Sequence, residues 1–499
     1  MPPPSLPTPL PSPDTPRWVR AIDALCLALV VLSAVVAMSG GFRIRFGPLR
    51  LAVTSPFATL LWALAIGVLR HVLAPAAPAY RELPARIVAW WRQPGVHTAA
   101  AATVGTRPVI LFVGYMAVLV FGYPPGPAPP MMVGNELVNL EARWDANWYL
   151  GIVTEGYHFI PNQPGLQQSI AFFPAYPTLV RGVGRILGGR ITSYIAAGMI
   201  VSFAAFFGAL VYLYAMARDT LGEDEARFAV WALATYPFAL FFGAIYVESL
   251  LLLAMTATFY HFTHRRFLKA ALWGVLVGLT KTNGFLLSLP LAMLAVTGAG
   301  WVNRSGGSGR SGRPGESGEP GESGVGAEGS PRWNVVTAML AAAGPGIGML
   351  IYSAYVWQVT GNPVGWLTAH GAWGREYQGL LTLVGDRLNI IANAGVEGYV
   401  ASLPHDLINA LGVIFVLAAA WPVARKLGFA YAVFILVFML PPLAAGGLIS
   451  AGRFSSVLFP AFIWLAGAVP PRHRPAWLAS FAAFQALNAA MFYTWRPLY

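Results

Sequence analysis

The sequence predicts an all-α membrane protein that crosses the bilayer many times. Of its 499 residues, 57% are hydrophobic and only 10% are charged, whereas a soluble domain carries about 25% charged residues. The apolar residues extend over the whole chain, which indicates many spans and not a single anchor. About thirteen apolar stretches approach the roughly 20 residues that a helix needs to cross the hydrocarbon core. They lie at about 25–38, 51–73, 108–123, 193–217, 228–244, 247–263, 268–281, 284–299, 334–357, 406–424, 428–446, 455–469 and 476–494.

The net charge of +12 and the single cysteine exclude several classes of function. Basic residues fall between the apolar stretches and do not cluster on one element, which is typical of positive-inside topology and argues against nucleic-acid binding. Because Cys26 is the only cysteine, disulfides within the chain, zinc knuckles and iron–sulfur clusters are excluded. The sequence has no phosphate loop, dinucleotide fingerprint or zinc-protease motif, so we expect neither a cofactor nor a metal site.

The N-terminal region is predicted to have two parts. Residues 1–16 are rich in proline and should be disordered or form polyproline II. Residues 17–104 hold two spans and a basic cytoplasmic loop. A signal peptide is the alternative interpretation of the first apolar run, but the second run at about 51–73 favours an uncleaved span.

The distribution of Lys and Arg predicts the orientation in the membrane. Most of them fall in loops that lie on one side if the N-terminus is cytoplasmic, so we expect the N-terminus inside and the C-terminus outside. The outer turn at 41–50 goes against this bias, since it carries three arginines.

Two pairs of short neighbouring spans, 228–244 with 247–263 and 268–281 with 284–299, are interpreted as broken helices. Irregular backbone at membrane depth must be covered by protein or water, so these breaks are expected to line a cavity.

Three long intervals interrupt the apolar pattern. Residues 303–331 are rich in Gly, Ser, Glu and Arg and predict a disordered cytoplasmic linker. Residues 124–192 are aromatic and rich in motifs, and they predict a structured outer loop that carries function. The interval 358–405 is a second candidate outer loop. We expect the core at 105–302, which includes the loop at 124–192, and the C-terminal helices at 332–499, which include the loop at 358–405.

Asp145 is the strongest candidate for chemistry in the first outer loop. Its carboxylate could accept the proton of an acceptor hydroxyl, or it could cap the helix that Ala146 begins, and both roles can hold at once. Arg143 could bind a phosphate through its guanidinium fork, or it could anchor at the lipid headgroups.

Aromatic residues crowd this loop, and they are compatible with stacking on a sugar or with an ordinary interfacial belt. The belt is the favoured interpretation for most of them. A segment from Leu179 to Leu187 predicts an amphipathic helix on the outer surface. The aromatic residues are Trp144, Trp148, Tyr149, Tyr157, Phe172, Phe173 and Tyr176.

Charged residues close to the membrane supply further candidates. Glu248 and Lys281 lie between short spans, where an ion is costly unless it pairs or faces water. Arg453 begins an outer span and could hold a lipid phosphate, with snorkelling or a structural ion pair as the alternative for each. His158 and His370 are isolated, which argues against a metal site.

With these residues the chain resembles the PIG-V family, mannosyltransferases related to GPI mannosyltransferase II that have bacterial members. The resemblance covers roughly residues 105–470, and it leaves out the first two spans and the 303–331 insert. Its pieces are Arg143-Trp144-Asp145-Ala146, Gly156-Tyr157, Phe172-Phe173-Pro174-Ala175-Tyr176-Pro177, Tyr246-Val247-Glu248-Ser249, Thr280-Lys281-Thr282-Asn283-Gly284, Gly361-Asn362-Pro363 and Trp373-Gly374-Arg375. The chain departs from the family at Val247, since the family has Tyr-Thr-Glu-Ser where this chain has Tyr246-Val247-Glu248-Ser249. It also departs at His370, where relatives often have Gln.

The resemblance implies a GT-C-type helical bundle with an extracytoplasmic active site in the bacterial inner membrane. It implies a polyprenyl-phosphate sugar, typically mannose, as the donor, a lipid- or protein-linked acceptor, and transfer with inversion. Asp145 matches the family's catalytic acid, and the donor phosphate is expected at Arg143, Lys281 and Arg453. The acceptor or the rest of the pocket is expected at Trp144, Tyr246, Glu248, His370, Trp373 and Arg375.

The competing hypothesis from another class is a transporter or lipid flippase, since broken helices and intramembrane ions fit that class as well. A transporter does not need a long, aromatic outer loop with an acidic residue, and it often shows two similar halves, which this chain lacks. A purely structural scaffold leaves Glu248 and Lys281 unexplained.

Overall fold

The computed structural model describes residues 16–39, 42–46, 49–75, 78–163, 165–298, 334–375, 377 and 379–498. The predicted linker at 303–331 lies outside these residues, and so does the predicted N-terminal tail apart from Pro16.

The described chain is almost entirely helical, which confirms the predicted class of an all-α polytopic membrane protein. One antiparallel hairpin is the exception, formed by β1 (Phe42–Phe46) and β2 (Leu49–Val53) with Arg45 opposite Arg50. The helices are α1 Arg17–Ser39, α2 Pro56–Leu73, α3 Leu83–Trp91, α4 Pro94–Phe121, α5 Glu136–Asn139, α6 Ala146–Thr154, α7 Ala175–Ile186, α8 Ile191–Leu221, α9 Glu223–Thr235, α10 Glu248–Thr263, α11 Phe267–Thr280, α12 Ser288–Thr297, α13 Val335–Ala342, α14 Gly344–Thr360, α15 Gly365–Thr368, α16 Leu380–Ser402, α17 Pro404–Lys426, α18 Phe429–Gly446, α19 Ala451–Ser456, α20 Phe459–Ala468 and α21 Arg474–Tyr493.

The predicted number of about thirteen spans is not confirmed. Within the described residues, 7 helical segments are long and apolar enough to cross a membrane. They are α1, α2, α4, α8, the consecutive α13 and α14, α17 and α18. Several predicted spans correspond to shorter apolar helices, among them α11 and α20.

The chain forms two compact units, of which the first comprises Met1–His97 and Gly184–Ser193. In this unit α1 packs against α2, and a buried ion pair joins them. The Nε atom of Arg70 lies 2.7 Å from Oδ1 of Asp23, and its Nη2 donates to Oδ2 at 2.9 Å. The predicted second span at 51–73 begins later than expected, because residues up to Val53 belong to β2 and Ser55 caps α2.

The second unit comprises Thr98–Val183 and Tyr194–Tyr499. Its α11 and α14 approach closely, since a side chain at Gly278 would overlap the backbone of Pro345. Small residues allow such contact between membrane helices without a hydrophobic driving force. The breaks predicted from the short pairs are present: α9 and α10 are separated at 236–247, and a 3-10 turn at Gly284–Leu287 separates α11 from α12.

The long loop that follows α4 is structured, as predicted, and contains α5, α6, a 3-10 turn at Ser169–Ala171 and α7. Its return segment rests on α14, where the hydroxyl of Tyr352 donates to the carbonyls of Ile170 at 2.9 Å and Phe172 at 3.1 Å. Phe173 is buried against Tyr352 and Trp366. These contacts fix the segment that follows Asp145 against the helical bundle.

Candidate active site

Asp145 lies at the start of α6, and its carboxylate points away from the helix it precedes. It occupies the N-cap position, but its side chain accepts no capping hydrogen bond. Instead Oδ2 accepts a hydrogen bond of 2.9 Å from Nη1 of Arg453. The backbone N–H of Asp145 donates to the hydroxyl of Tyr246 at 3.0 Å, which holds the turn in place. The carboxylate is therefore not used to cap the start of α6 and can take part in a pocket.

Four charged residues from distant parts of the chain form one alternating series. Arg453 contacts Asp145 through Nη1, and its Nε lies 3.4 Å from Oε1 of Glu248. The same Oε1 accepts a hydrogen bond of 2.9 Å from Nζ of Lys281. Glu248 is 1% exposed, so the two cations compensate a carboxylate that water does not reach.

The ring of Phe454 supports three cations at once. Nζ of Lys281 lies 4.1 Å from the ring centroid, and the guanidinium carbons of Arg375 and Arg453 each lie 5.5 Å from it. These are cation–π distances, at which the ring face attracts positive charge. Phe454 was not among the predicted site residues, and its position directly after Arg453 is the signal that points to it.

Arg375 is a third cation of the pocket and differs from the other two. Among the described residues it makes no ion pair. Burial, followed by the neighbouring charge of Arg453, lowers its pKa to about 10, so it remains a cation at neutral pH. The pocket thus holds three cations, Lys281, Arg375 and Arg453, against the two carboxylates of Asp145 and Glu248.

These groups surround a cavity of about 160 Å³. One wall is aromatic: Phe172 stacks on Trp148 with centroids 5.7 Å apart and meets Trp373 edge-on at 5.7 Å. The cavity is lined by Asp145, Tyr149, Ala171, Phe172, Phe173, Val247, Glu248, Thr280, Lys281, Thr282, His370, Trp373, Arg375, Ile449, Ser450, Arg453 and Phe454. An aromatic wall beside charged groups is suited to a sugar attached to an anion.

His370 lines the cavity as a neutral ring. Its Nδ1 donates to the carbonyl of Trp366 at 2.7 Å, so Nε2 faces the hydroxyl of Thr282 at 3.3 Å as an acceptor. Burial lowers the pKa of His370, which keeps the ring uncharged at neutral pH. No group of three or more His, Cys, Asp and Glu side chains in the described chain could hold a metal ion.

Three predicted site residues lie outside the cavity lining. The buried guanidinium of Arg143 donates to the carbonyls of Tyr493 and Asn139 and pairs with Glu136, so the geometry favours a structural role over the predicted contact with the donor phosphate. Trp144 packs against Trp495 with the rings tilted by 45° and their centroids 4.8 Å apart. Tyr246 lies behind Arg453, whose guanidinium carbon is 5.2 Å from its ring.

Comparison with known proteins confirms the resemblance expected from the motifs. Residues 123–301 match the family model of the mannosyltransferases named PIG-V. The matched segment includes Asp145, Glu248 and Lys281, whereas Arg375 and Arg453 lie beyond it. No curated protein matches the sequence. The family match supports a membrane glycosyltransferase.

Among solved structures, the chain is similar to an oligosaccharyltransferase of Archaeoglobus fulgidus, crystallised as a complex with Zn and sulfate. The two are 13% identical, and the TM-score is 0.36. The similarity covers 77% of this chain and 53% of that chain, so it spans about half of the archaeal protein.

Proposed function

We propose that this protein transfers a sugar, mannose by preference, from a polyprenyl-phosphate donor to a lipid- or protein-linked acceptor. The observation that carries the proposal is the cavity in which Asp145 lies beside an excess of cations and an aromatic wall. A carboxylate is needed to accept a proton, cations are needed to bind a phosphate, and aromatic rings suit a sugar. The family match over residues 123–301 supports the same class of reaction.

In the proposed reaction Asp145 acts as the general base. It accepts the proton of the acceptor hydroxyl while that oxygen forms a bond with the anomeric carbon of the sugar. The bond between the anomeric carbon and the phosphate oxygen breaks, and polyprenyl phosphate leaves with the electron pair. A single displacement of this kind inverts the configuration of the anomeric carbon.

The leaving phosphate carries negative charge, so prearranged cations stabilise the transition state. Lys281, Arg375 and Arg453 lie around the ring of Phe454 and make this side of the cavity positive. Phe172 and Trp373 offer ring faces and edges to the sugar.

We place the site on the extracytoplasmic face of a bacterial inner membrane. The distribution of Lys and Arg supports this orientation, since it puts the N-terminus inside and the 124–192 loop outside. A lipid-linked sugar suits that location because the donor can enter sideways from the outer leaflet.

The test uses purified protein in detergent or vesicles with radiolabelled polyprenyl-phosphate mannose and candidate acceptors. We expect release of polyprenyl phosphate that depends on the acceptor, and a product of inverted configuration by NMR. The same assay with polyprenyl-phosphate glucose and arabinose identifies the preferred sugar.

The matched variants for this test are Asp145→Asn and Asp386→Asn, an exposed aspartate of α16 that does not line the cavity. We expect transfer to be lost in the first variant and retained in the second. Full transfer by Asp145→Asn means that Asp145 is not the base.

A further inference from the structure

We propose that Arg375 is the residue that binds the donor phosphate, whereas Arg453 is a positioning residue that holds Asp145. This inference rests on the proposed function and divides the cations of the site between two tasks. It departs from the sequence-based expectation, in which Arg143, Lys281 and Arg453 receive the phosphate.

The first argument is the distribution of charge. Both carboxylates of the cavity are already engaged: Asp145 by Arg453, and Glu248 by Arg453 and Lys281. Arg375 makes no ion pair with any residue that the structure describes. The positive charge that remains after pairing within the cavity therefore belongs to Arg375, and an incoming anion is drawn to it first.

The second argument is the cost of moving Arg453. If its guanidinium turned to a phosphate, it would give up the 2.9 Å contact with Asp145 and the 3.4 Å contact with Glu248. The carboxylates of Asp145 and Glu248 would then face the anionic donor without the charge of Arg453 to compensate them. Like charges in one cavity repel. Leaving Arg453 in place avoids this repulsion and keeps the carboxylate of Asp145 aimed into the cavity.

The third argument is how Arg375 is held without a carboxylate. Its guanidinium lies against Gly446, the last residue of α18, and a side chain there would overlap Nη1. The carbonyl end of a helix carries partial negative charge, which favours a cation. Phe454 supports the guanidinium from another side. Arg375 is thus placed in the cavity while its fork remains available to two phosphate oxygens.

The experiment measures two quantities separately: the Kd of polyprenyl phosphate alone, by quenching of tryptophan fluorescence, and the kcat of sugar transfer. For Arg375→Gln we expect the Kd to rise about 10- to 100-fold, as loss of a charge-assisted bidentate contact implies. For Arg453→Gln we expect the Kd to change by less than about threefold while kcat falls about 100-fold, because the base loses its orientation.

Two further variants guard against misfolding. Gly446→Ala keeps every charge and displaces only the flexible end of Arg375, so it should also raise the Kd while the protein stays folded. Arg375→Lys keeps the charge but loses the fork, and its Kd should fall between those of the parent and Arg375→Gln. Arg425→Gln, which removes an exposed arginine of α17, is the matched control and should behave like the parent.

Unchanged binding of polyprenyl phosphate by both Arg375→Gln and Gly446→Ala, or loss of binding in Arg453→Gln alone, overturns the assignment. If the parent protein neither binds polyprenyl phosphate nor transfers a sugar, the proposed function itself fails, and the inference fails with it.

Discussion

Two aspartates of this protein pair with an arginine in opposite ways. Asp23 and Arg70 join α1 to α2 as a balanced pair, with side chains that are 4% and 2% exposed. Asp145 is 23% exposed and pairs with Arg453. Arg453 also pairs with Glu248, and Glu248 pairs in addition with Lys281. Arg70 also donates to the carbonyl of Ala74.

The difference shows how a structural ion pair can be told from a functional one. A balanced, dry pair satisfies its own charges, and its energetic contribution is close to that of well-packed apolar residues. Among the described residues the cavity has one more cation than carboxylates and some access to solvent, so a bound anion would balance its charge. Under the proposed function, excess charge distinguishes this site better than burial does.

The largest expected effect separates the two aspartates directly. Asp145→Asn should reduce transfer about 100- to 10,000-fold, the range for a general base, and change stability little because Arg453 keeps Glu248 as a partner. Asp23→Asn should do the reverse: it removes a buried carboxylate that pairs with Arg70 and costs about 3–5 kcal/mol of stability. Transfer per folded molecule measures the effect on catalysis, and thermal unfolding in detergent measures the effect on stability. Equal effects of the two variants on transfer contradict the distinction.

The next effect concerns the carboxylate shared by two cations. Glu248→Gln keeps the shape and one oxygen but removes the charge that holds Lys281 and Arg453 together. We expect transfer to fall about 10- to 100-fold, because the two cations then repel and Asp145 loses its alignment. Glu397→Gln, at an exposed position of α16, is the matched control. Parent-like kcat in Glu248→Gln shows that the series is not needed for catalysis.

A smaller effect is expected at the aromatic support. Phe454→Leu keeps an apolar side chain but removes the ring face that Lys281 and the two arginines share. Since a cation–π contact contributes about 0.5–2 kcal/mol, we expect transfer to decrease by about tenfold. Phe454→Tyr keeps the ring and should restore most of the activity. Steady-state kinetics of both variants test whether the ring or only its bulk matters.

The smallest effect is expected when the pair of Asp23 and Arg70 is replaced as a whole. Asp23→Leu combined with Arg70→Met removes both charges of the pair together. Such replacements are often neutral or stabilising, so we expect unchanged transfer and a stability within about 2 kcal/mol of the parent. Lost transfer in a folded double variant assigns the N-terminal pair a role in the reaction.

Much of the fold and several site residues could be predicted from the sequence. Hydropathy is a local property, so the apolar runs show the membrane class, and the breaks beside Glu248 and Lys281 are visible in the sequence. An ion beside the bilayer is costly unless it is compensated, which singles out these residues and Arg453. Asp145 stands out because a carboxylate at the entry of an outer loop is chemically conspicuous.

The roles of neighbouring residues were less predictable. Arg143 and Asp145 are two positions apart, yet one is buried among backbone carbonyls and the other lines the cavity. No spacing rule separates them, since the direction of each side chain depends on the contacts of the turn with α21 and Tyr246. Phe454 was missed because two of the three cations at its ring, Lys281 and Arg375, lie elsewhere in the chain.

By itself, the sequence determined the membrane class, the orientation expected from basic residues and the set of polar groups that the bilayer makes costly. Only the tertiary structure decided which of them meet, as with Asp145 and Arg453, which are 308 positions apart. Electrostatic energy depends on distance in space, and that distance is set by the packing of α6, α10, α11 and α19. The excess charge at Arg375 becomes apparent only when all the pairs are known.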